Sequence, residues 1–525
     1  MDELFHYEAK KTKHLVRVEV TDEKITFLAV NAAAWVFEAD IKDIVGCHLM
    51  KNVSLNDPYL RIFYYPFDDR RTRRRQIIVD LKPAGDKAYD DCLKIKLMIL
   101  RASCGFPRDW SDYDTLKTIE NLQKLIILIN PKSGKGNARK TFTSKVVPLL
   151  SEANIGCDAV FTTGPNHARR LLKTMDLTVY RGIVVISGDG LLFEVINGLL
   201  EREDWETAIQ VPLGIIPQGS GNGIARTLAD AQNEPYHLDP VLTSTLNIIR
   251  ARPKAVDLMR VLQRFPDESE KTYYAVLSVG YGLLADIDIE SERLRSLGES
   301  RFTIWAVLRL IGLKTYRMKV SYLQAEPGDK GETQPQRLSP RLFRSTTEVE
   351  KPRNDELMRR TISADTNIIS DPLEPFADNQ IEYGDLAEDF VAADTFGPSS
   401  KYSPLTGEIP SDWVTIEGDF VLVYAVLQRF IGTDNMFAPK SKMDDGLIYL
   451  LLIRGDASRG QLFQFLTSFE SGTHVDVPCC EMIPVKAFRL EPQTSEGNLT
   501  IDGEKVPTAP VQVEILPSFY RVFMR

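Results

Sequence analysis

Cysteine is scarce in this sequence, long apolar runs are absent, and acidic residues outnumber basic ones. Six cysteines among 525 residues show no metal-ligand spacing, and the adjacent Cys479 and Cys480 have no partners at ligand distance. This pattern predicts reduced thiols in a cytoplasmic protein. A net charge of −9 argues against a nucleic-acid-binding protein. No signal peptide is apparent, and no apolar run approaches the roughly 20 residues that span a bilayer. Any membrane contact is therefore expected to be peripheral and reversible.

Residues 1–115 carry short runs of β-forming residues separated by turns and charges, followed by a helical pattern at 89–101. Several antiparallel strands closed by one helix predict a mainly β module of the pleckstrin-homology type. Its basic cluster, Arg70–Arg75, has two interpretations that stay open. The cluster contacts anionic lipid, or it is a solvated loop balanced by Asp68 and Asp69.

From residue 120 to about 260, apolar strands alternate with helical patterns, which predicts an α/β domain. From 261 to 525 strands dominate again, with helices at 283–296 and 302–313, and this pattern favours a β-sandwich domain. Residues 324–411 interrupt that domain with a stretch rich in Pro, Ser, Thr and charged residues and poor in periodic apolar residues. Such a span inside a folded domain predicts a disordered surface insertion.

Three glycine-rich loops each follow a predicted strand and precede a predicted helix, at 130–137, 187–190 and 217–223. Backbone N–H groups in such loops bind phosphate oxygens, and Lys132, Lys135 and Arg139 add positive charge to the first loop. The first loop lacks the spacing of a Walker A motif. Because parallel strands end at one edge of their sheet, we expect the loops to converge on one polyphosphate site.

Asp189 lies in the middle loop, and two roles suit it. The local interpretation is an Asp-Gly turn in which Asp189 caps the following helix. A carboxylate beside a phosphate site could instead bind a metal ion or accept the proton of an attacking hydroxyl. The flanking glycine loops favour the chemical role.

A second charged segment follows helical spacing. Asp288, Glu292 and Arg295 are spaced i, i+4 and i+7 and share one helix face. The adjacent, mostly apolar face contains Leu284, Ile287, Ser291 and Leu294. A solvated face held by ion pairs is the simpler explanation, but an acid beside arginines also suits a cationic amino alcohol and a polyphosphate. Further on, an Asp-Gly turn at 502–503 predicts a hairpin.

Several of these motifs resemble a known family. Asn-Pro-x-Ser-Gly-x-Gly at 130–136, Gly-Asp-Gly at 188–190 with Glu-Val-x-Asn-Gly-Leu at 194–199, and Gly-Ile-Ile-Pro-x-Gly-Ser-Gly-Asn at 214–222 are similar to the diacylglycerol kinase superfamily. Ser278–Glu292, followed by Arg295-x-x-Gly298 and Arg301-Phe302-Thr303, resembles the sphingosine kinases. The resemblance covers about 122–323 and resumes at 414. It implies a phosphofructokinase-like nucleotide-binding domain, a lipid-binding β-sandwich, and phosphorylation of the primary hydroxyl of sphingosine with ATP and Mg²⁺.

The resemblance also implies roles for individual residues. Asp189 would be the catalytic base, and Asp502 and Glu504 would bind the metal ion. The substrate contacts would be Ser187, Gly188, Asp189, Gly190 and Asp288, with Asp288 at the sphingoid head group. The nucleotide contacts would be Asn130, Pro131, Lys132, Ser133, Gly134, Lys135, Gly136, Thr163, His167, Arg169, Glu194, Gly219, Ser220, Gly221, Asn222, Arg295, Arg301, Asp502, Gly503 and Glu504.

The expected partners are a sphingoid-base lipid and an anionic membrane surface, and a homodimer is left open. Candidates for the lining of an apolar lipid pocket are Phe302, Ile304, Val307, Leu308, Met436 and Phe437, although most such residues are simply core. Ceramide kinase, or another lipid kinase of the superfamily, is the nearest alternative. A catalytically silent lipid-binding scaffold is the alternative from a different class, and the retained Asp189 and glycine loops argue against it.

Overall fold

The computed structural model describes residues 4–9, 12–30, 35–51, 58–104, 124–134, 136–250, 252–291, 300–326 and 396–524. Its N-terminal module is an antiparallel sheet in the order β4-β3-β2-β1-β7-β6-β5, closed by one helix. Val16 and Val18 of β2 are buried in a core that includes Ile95 and Ile99 of that helix. The mainly β prediction is confirmed. The elements are β1 (Leu4–Ala9), β2 (Thr12–Val20), β3 (Lys24–Ala29), β4 (Trp35–Asp40), β5 (Ile44–Lys51), β6 (Pro58–Tyr64), β7 (Ile77–Pro83) and α1 (Ala88–Cys104).

The next unit is a parallel sheet in the order β11-β10-β8-β9, with helices between its strands. Strands β8 and β10 are almost continuous apolar runs because both of their faces are buried. The helix predicted at 138–150 is interrupted by a π-helical turn at Phe142–Val146. The elements are β8 (Lys124–Ile129), α2 (Ala138–Thr141), α3 (Val147–Glu152), β9 (Cys157–Phe161), α4 (His167–Thr174), β10 (Tyr180–Ser187), α5 (Asp189–Leu200), α6 (Trp205–Ala208), β11 (Leu213–Pro217), α7 (Gly223–Ala231) and α8 (Pro240–Arg250).

The C-terminal unit is the predicted β-sandwich with helices on one side. Its last strand, β21, was not predicted, and it connects the two units by pairing with β18, β12 and the parallel strand β11. No helix among the described residues is long and apolar enough to cross a membrane. The elements are β12 (Arg252–Arg264), β13 (Glu270–Ala275), β14 (Ser278–Gly282), α9 (Leu283–Ser291), α10 (Ser300–Ile311), β15 (Tyr316–Gln324), β16 (Val414–Val426), β17 (Ile448–Arg454), α11 (Arg459–Thr467), β18 (Glu481–Pro492), β19 (Leu499–Ile501), β20 (Glu504–Val506) and β21 (Val511–Met524).

Two predicted limits differ from the structure. The boundary at 260–261 falls inside β12, and the disordered insertion predicted at 324–411 is too long at its C-terminal end. Residues 396–411 pack on the sandwich, where the buried Arg489 guanidinium donates to the carbonyl oxygens of Ser403, Pro404 and Gly407 at 2.9–3.0 Å. Buried carbonyl groups with a charged donor are held in place. Residues 327–395 lie outside the described residues, so the rest of that prediction is untested.

The basic cluster Arg70–Arg75 serves neither of its two predicted roles at Arg74. The Arg74 side chain is 1% exposed and donates two hydrogen bonds to Glu234, at 2.6 and 2.7 Å, and one to Asp43 at 2.8 Å. Glu234 belongs to the parallel-sheet unit and Asp43 to the N-terminal module. Tyr65 of the module likewise donates to Glu152 at the end of α3, at 2.7 Å. A paired buried charge therefore joins the two units.

Candidate active site

The three glycine loops lie together at the carboxyl edge of the parallel sheet. The backbone N–H of Gln218 donates to the Ser187 carbonyl at 2.9 Å, and the hydroxyls of Ser187 and Ser133 are 3.2 Å apart. A Cβ at Gly219 would lie 2.3 Å from the Gly188 Cα, so a larger residue would separate the second and third loops. The structure thus brings the predicted loops to one crevice.

Each flanking loop is shaped by an asparagine. Asn130 Oδ1 accepts the backbone N–H of Lys132 at 3.0 Å, and the Asn222 side chain both accepts from Gly219 N–H and donates to its carbonyl. Gly134 has a φ of +54°, and a Cβ there would lie 2.3 Å from the Gln218 carbonyl oxygen. The loops also contain Pro131, Ser133, Gly136, Ser220 and Gly221, while Lys135 lies outside the described residues.

Asp189 is the first residue of α5, but its carboxylate caps a different helix. Oδ2 accepts the backbone N–H of Gly223 at 2.8 Å, and Oδ1 accepts that of Ile224 at 3.1 Å. Both donors belong to the first turn of α7. Burial raises the pKa of Asp189 to about 6, although these two N–H groups lower it. The local prediction of a helix cap is therefore met on a neighbouring helix, and the carboxylate has a pKa suited to accepting a proton near neutral pH.

The predicted Asp-Gly hairpin is confirmed, and it folds back beside the glycine loops. Asp502 joins β19 to β20, and its carboxylate accepts the backbone N–H groups of Val276, Leu277 and Ser278 at 2.7–2.8 Å. Burial raises the pKa of Asp502 to about 7, and the nearby Asp189 carboxylate contributes to the increase. The hairpin is thereby held against the start of β14.

The fit of a metal ion differs between the two proposed ligands. The Asp502 carboxylate is directed to three backbone amides, so it does not fit the role of a metal ligand. Glu504 fits better, because its Oε1 lies 3.2 Å from the position that a Cβ at Gly190 would take. Among the described residues, no group of three or more His, Cys, Asp or Glu side chains is arranged to hold a metal ion. One carboxylate suits Mg²⁺ only when phosphate oxygens complete its coordination.

Glu194 lies on α5, five residues beyond Asp189, and faces the start of α4. Burial raises its pKa, against the lowering effect of the backbone N–H groups of Asn166 and Ala168. Its Oε2 atom is buried and has no hydrogen-bond partner within the described part of the chain. A buried acceptor without a donor is costly, so this oxygen suits a hydroxyl of a bound ligand.

Thr163 and His167 border the same end of the crevice, but Arg169 does not. The backbone N–H of Thr163 donates to His167 Nδ1 at 3.0 Å, and burial lowers the pKa of that imidazole. The Arg169 guanidinium instead pairs with Glu201, after the last residue of α5. That end of α5 is about 18 Å from Asp189, given the rise of a 12-residue helix. Arg295 and the side chain of Arg301 lie outside the described residues.

Asp288 reaches the hairpin from α9. Its Oδ2 lies 3.5 Å from the position that a Cβ at Gly503 would take. The neighbouring Asp286 is structural, because Tyr316 and the Asn498 amide donate to its carboxylate and Arg309 lies 3.6 Å away. Ile287 of the predicted inner face is buried as expected.

The apolar region next to Asp288 is an aromatic cluster beneath α9, α10 and α11. Phe437 stacks on Phe469 at 5.7 Å between ring centroids and packs near His474 at 5.5 Å. The prediction that Ile304, Val307 and Leu308 line this region is wrong, because these side chains are 42–50% exposed on α10. The Phe302 side chain lies outside the described residues. Helical spacing shows which residues share a face but not which side is covered.

Two tyrosines near the carboxylates were missed by sequence reasoning. Tyr520 is buried, its hydroxyl has no hydrogen-bond partner within the described residues, and its pKa is raised by burial and by Asp502. Tyr424 lies on β16, with its hydroxyl 3.2 Å from Ser278 Oγ. Each is a single phenol in a strand that is otherwise mostly aliphatic or aromatic, and this was the only local signal.

Comparison with known proteins divides the chain in the same places. A model of the diacylglycerol kinase catalytic domain matches residues 124–261. A model of the YegS C-terminal NAD kinase beta sandwich-like domain matches residues 393–524. The first match contains all three glycine loops, and the second contains the hairpin at 502–503.

Three full-length proteins are similar over most of the chain. Sphingosine kinase 2 of Homo sapiens is 32% identical, over 91% of this chain and 83% of that protein. Sphingosine kinase 1 of Homo sapiens is 34% identical, over 76% of this chain and 90% of that protein. Sphingosine kinase 1 of Arabidopsis thaliana is 34% identical, over 75% and 71% respectively.

Proposed function

The chain belongs to the sphingosine kinase family and is a lipid kinase, and on that premise we propose that it transfers the γ-phosphoryl group of ATP to a long-chain base. The acceptor is the primary hydroxyl of sphingosine or a related base, and the product is its 1-phosphate. One observation carries this proposal: Asp189, the three glycine loops and the Asp288–Gly503 contact meet in one crevice. A phosphate site and an acid suited to a cationic head group therefore lie on either side of Asp189.

The nucleotide side is formed by the glycine loops and the start of α5. Backbone N–H groups of these loops and Lys132 bind phosphate oxygens, and the buried Glu194 Oε2 accepts a hydroxyl of the nucleoside. When Mg²⁺ is bound with the nucleotide, it neutralises phosphate charge, and Glu504 is the protein carboxylate placed to hold it. Positioning and charge neutralisation then supply most of the catalysis, as is general for phosphoryl transfer.

Asp189 is the proposed base. The lipid's primary hydroxyl oxygen forms a bond to the γ-phosphorus, the bond from that phosphorus to the β–γ bridging oxygen breaks, and ADP leaves. The hydroxyl proton passes to the Asp189 carboxylate, which is ionised above its pKa of about 6. The N–H groups of Gly223 and Ile224 hold the carboxylate in position throughout.

Asp288 is the proposed contact for the head group. A long-chain base carries an ammonium group, which forms a charge-assisted hydrogen bond with a carboxylate. Ceramide carries an uncharged amide at that carbon, and diacylglycerol has no nitrogen, so neither uses Asp288 in this way. This chemistry favours the long-chain base over both alternatives.

A single assay tests the proposal. Purified protein is incubated with labelled ATP and sphingosine, dihydrosphingosine, ceramide or diacylglycerol in matched micelles, and the labelled lipid is separated. We expect turnover of the two bases and little of the other lipids, with Asp189→Asn as the inactive control. Preferred turnover of ceramide or diacylglycerol would assign the neighbouring activity, and no turnover of any lipid would favour the scaffold alternative.

Peripheral membrane contact belongs to the same proposal. Ile304, Val307, Leu308 and Ile311 of α10 are 42–71% exposed, and Phe463 of α11 is 58% exposed. Such an apolar patch suits the surface of a bilayer, where the substrate resides. Co-sedimentation with vesicles containing phosphatidylserine should fall when Val307 and Leu308 are replaced by Ser, and unchanged binding would contradict this contact.

A further inference from the structure

Tyr424 places a polar group at the boundary between the acidic residues and the aromatic cluster. It lies on β16 directly opposite Gly280 of β14. A Cβ at Gly280 would come within 2.2 Å of the Tyr424 ring. The ring therefore lies across β14 over the glycine, and this contact sets the direction of the hydroxyl.

The hydroxyl of Tyr424 points toward the carboxylates. It lies 3.2 Å from Ser278 Oγ, and the backbone N–H of Ser278 donates to Asp502. Burial raises the pKa of Tyr424, and the nearby carboxylates of Asp288 and Asp502 raise it further. The phenol therefore keeps its proton and has both a donor and acceptor capacity.

The ring of Tyr424 points the other way, into apolar surroundings. Its centroid is 5.2 Å from that of Phe437, which stacks on Phe469. One end of this side chain thus belongs to the acidic site and the other to the aromatic cluster. A lipid whose head group contacts Asp288 and whose chain enters the cluster has to pass Tyr424.

We propose that Tyr424 is a specificity-determining residue that hydrogen-bonds the C3 hydroxyl of the long-chain base. This rests on the proposed function, in which the C2 ammonium contacts Asp288. The C3 hydroxyl is on the next carbon, at the start of the hydrocarbon chain, and this is the position of the Tyr424 hydroxyl between Asp288 and the aromatic cluster. Tyr424 thereby recognises the one polar group of the base that neither Asp189 nor Asp288 contacts.

The test compares two acceptors that differ only at C3, dihydrosphingosine and 2-aminooctadecan-1-ol. In the unaltered protein we expect kcat/KM to favour dihydrosphingosine by roughly three- to ten-fold, the worth of one neutral hydrogen bond. Tyr424→Phe should bring that ratio close to one by lowering kcat/KM for dihydrosphingosine alone, with KM for ATP unchanged. Gly280→Ala, which displaces the ring, should lower the ratio in the same direction.

Tyr449→Phe is the matched control. Tyr449 belongs to the same buried cluster, but its hydroxyl donates to Asp445 at 2.9 Å, away from Ser278. This variant should keep the full preference for dihydrosphingosine even if the protein loses stability. An unchanged ratio in Tyr424→Phe would overturn the role of Tyr424 while leaving the kinase assignment intact. Failure of the unaltered protein to phosphorylate either base would overturn the proposed function and this inference together.

Discussion

Two junctions in the molecule bury acidic side chains, and they satisfy them differently. At the junction of the N-terminal module with the parallel-sheet unit, Glu234 and Asp43 are paired with the guanidinium of Arg74. At the junction of the parallel-sheet unit with the sandwich, Asp189 and Asp502 accept only backbone N–H groups and have no cationic partner within the described residues. The first junction is electrically complete, whereas the second keeps carboxylates that respond to a ligand.

The difference shows in the pKa of the buried acids. Burial raises the pKa of Asp189 to about 6 and that of Asp502 to about 7, because amide dipoles compensate a carboxylate less than a guanidinium does. Strongly shifted acids in a crevice are typical of functional sites. A paired buried charge, in contrast, mainly specifies how two units fit together, which is the role we assign to Arg74.

The largest expected effect is at Asp189. Asp189→Asn keeps the side-chain shape but removes the proton acceptor, so phosphorylation of sphingosine should fall by about 10²- to 10⁴-fold. Nucleotide binding, measured by calorimetry, should survive. Asp257→Asn is the matched control, since Asp257 is also buried and accepts the backbone N–H groups of Ser518 and Gly446. Substantial turnover by Asp189→Asn would exclude Asp189 as the base.

Breaking the other junction should affect stability instead. Arg74→Ala leaves Asp43 and Glu234 buried without their cation, which should cost about 3–5 kcal/mol of unfolding free energy. Denaturant unfolding monitors the loss, and kcat per folded molecule should change little. Arg73→Ala is the control, because that side chain is exposed and 3.8 Å from Asp68. A variant of Arg74 that loses turnover without losing stability would refute the contrast between the two junctions.

Asp288 should divide the lipid from the nucleotide. Removal of a charge-assisted contact in Asp288→Ala should raise KM for sphingosine by roughly 10- to 100-fold and leave KM for ATP unchanged. Steady-state kinetics with each substrate varied in turn make the measurement. Asp286→Ala serves as the comparison, since loss of its contacts with Tyr316 and Asn498 should reduce stability as well. Equal effects on both KM values in Asp288→Ala would contradict a head-group role.

The smallest effect concerns pH, and rate and stability should move in opposite directions. Because the base must be ionised, kcat/KM should be full well above pH 6 and fall as pH decreases through about 6. Folding raises the pKa of Asp189 from 3.8, so the folded state binds this proton more tightly than the unfolded chain. Its stabilising contribution is therefore complete below about pH 4 and is lost as pH rises through 6. A pH–stability curve identical in Asp189→Asn would show that this carboxylate does not titrate as described.

The glycine loops and the hairpin could be predicted because their signals are local. Each loop joins a buried apolar strand to an amphipathic helix, and parallel strands place such loops at one edge. The turn at Asp502 and Gly503 follows from two residues that tolerate positive φ. Strand β21 escaped prediction because its apolar run is interrupted by polar residues that face different neighbours along its length.

What the sequence determined by itself was the kind of site: phosphate-binding loops, an acid in the middle loop and an acid on a later helix. Only the tertiary structure decided which groups each acid meets. Asp189 caps a helix 34 residues away, Asp502 closes on amides more than 220 residues away, and Arg74 is buried against Glu234. Contacts between distant residues have no period or spacing in the chain, because they arise from the packing of whole sheets. The same packing paired Arg169 with Glu201 and placed Tyr424 beside Ser278.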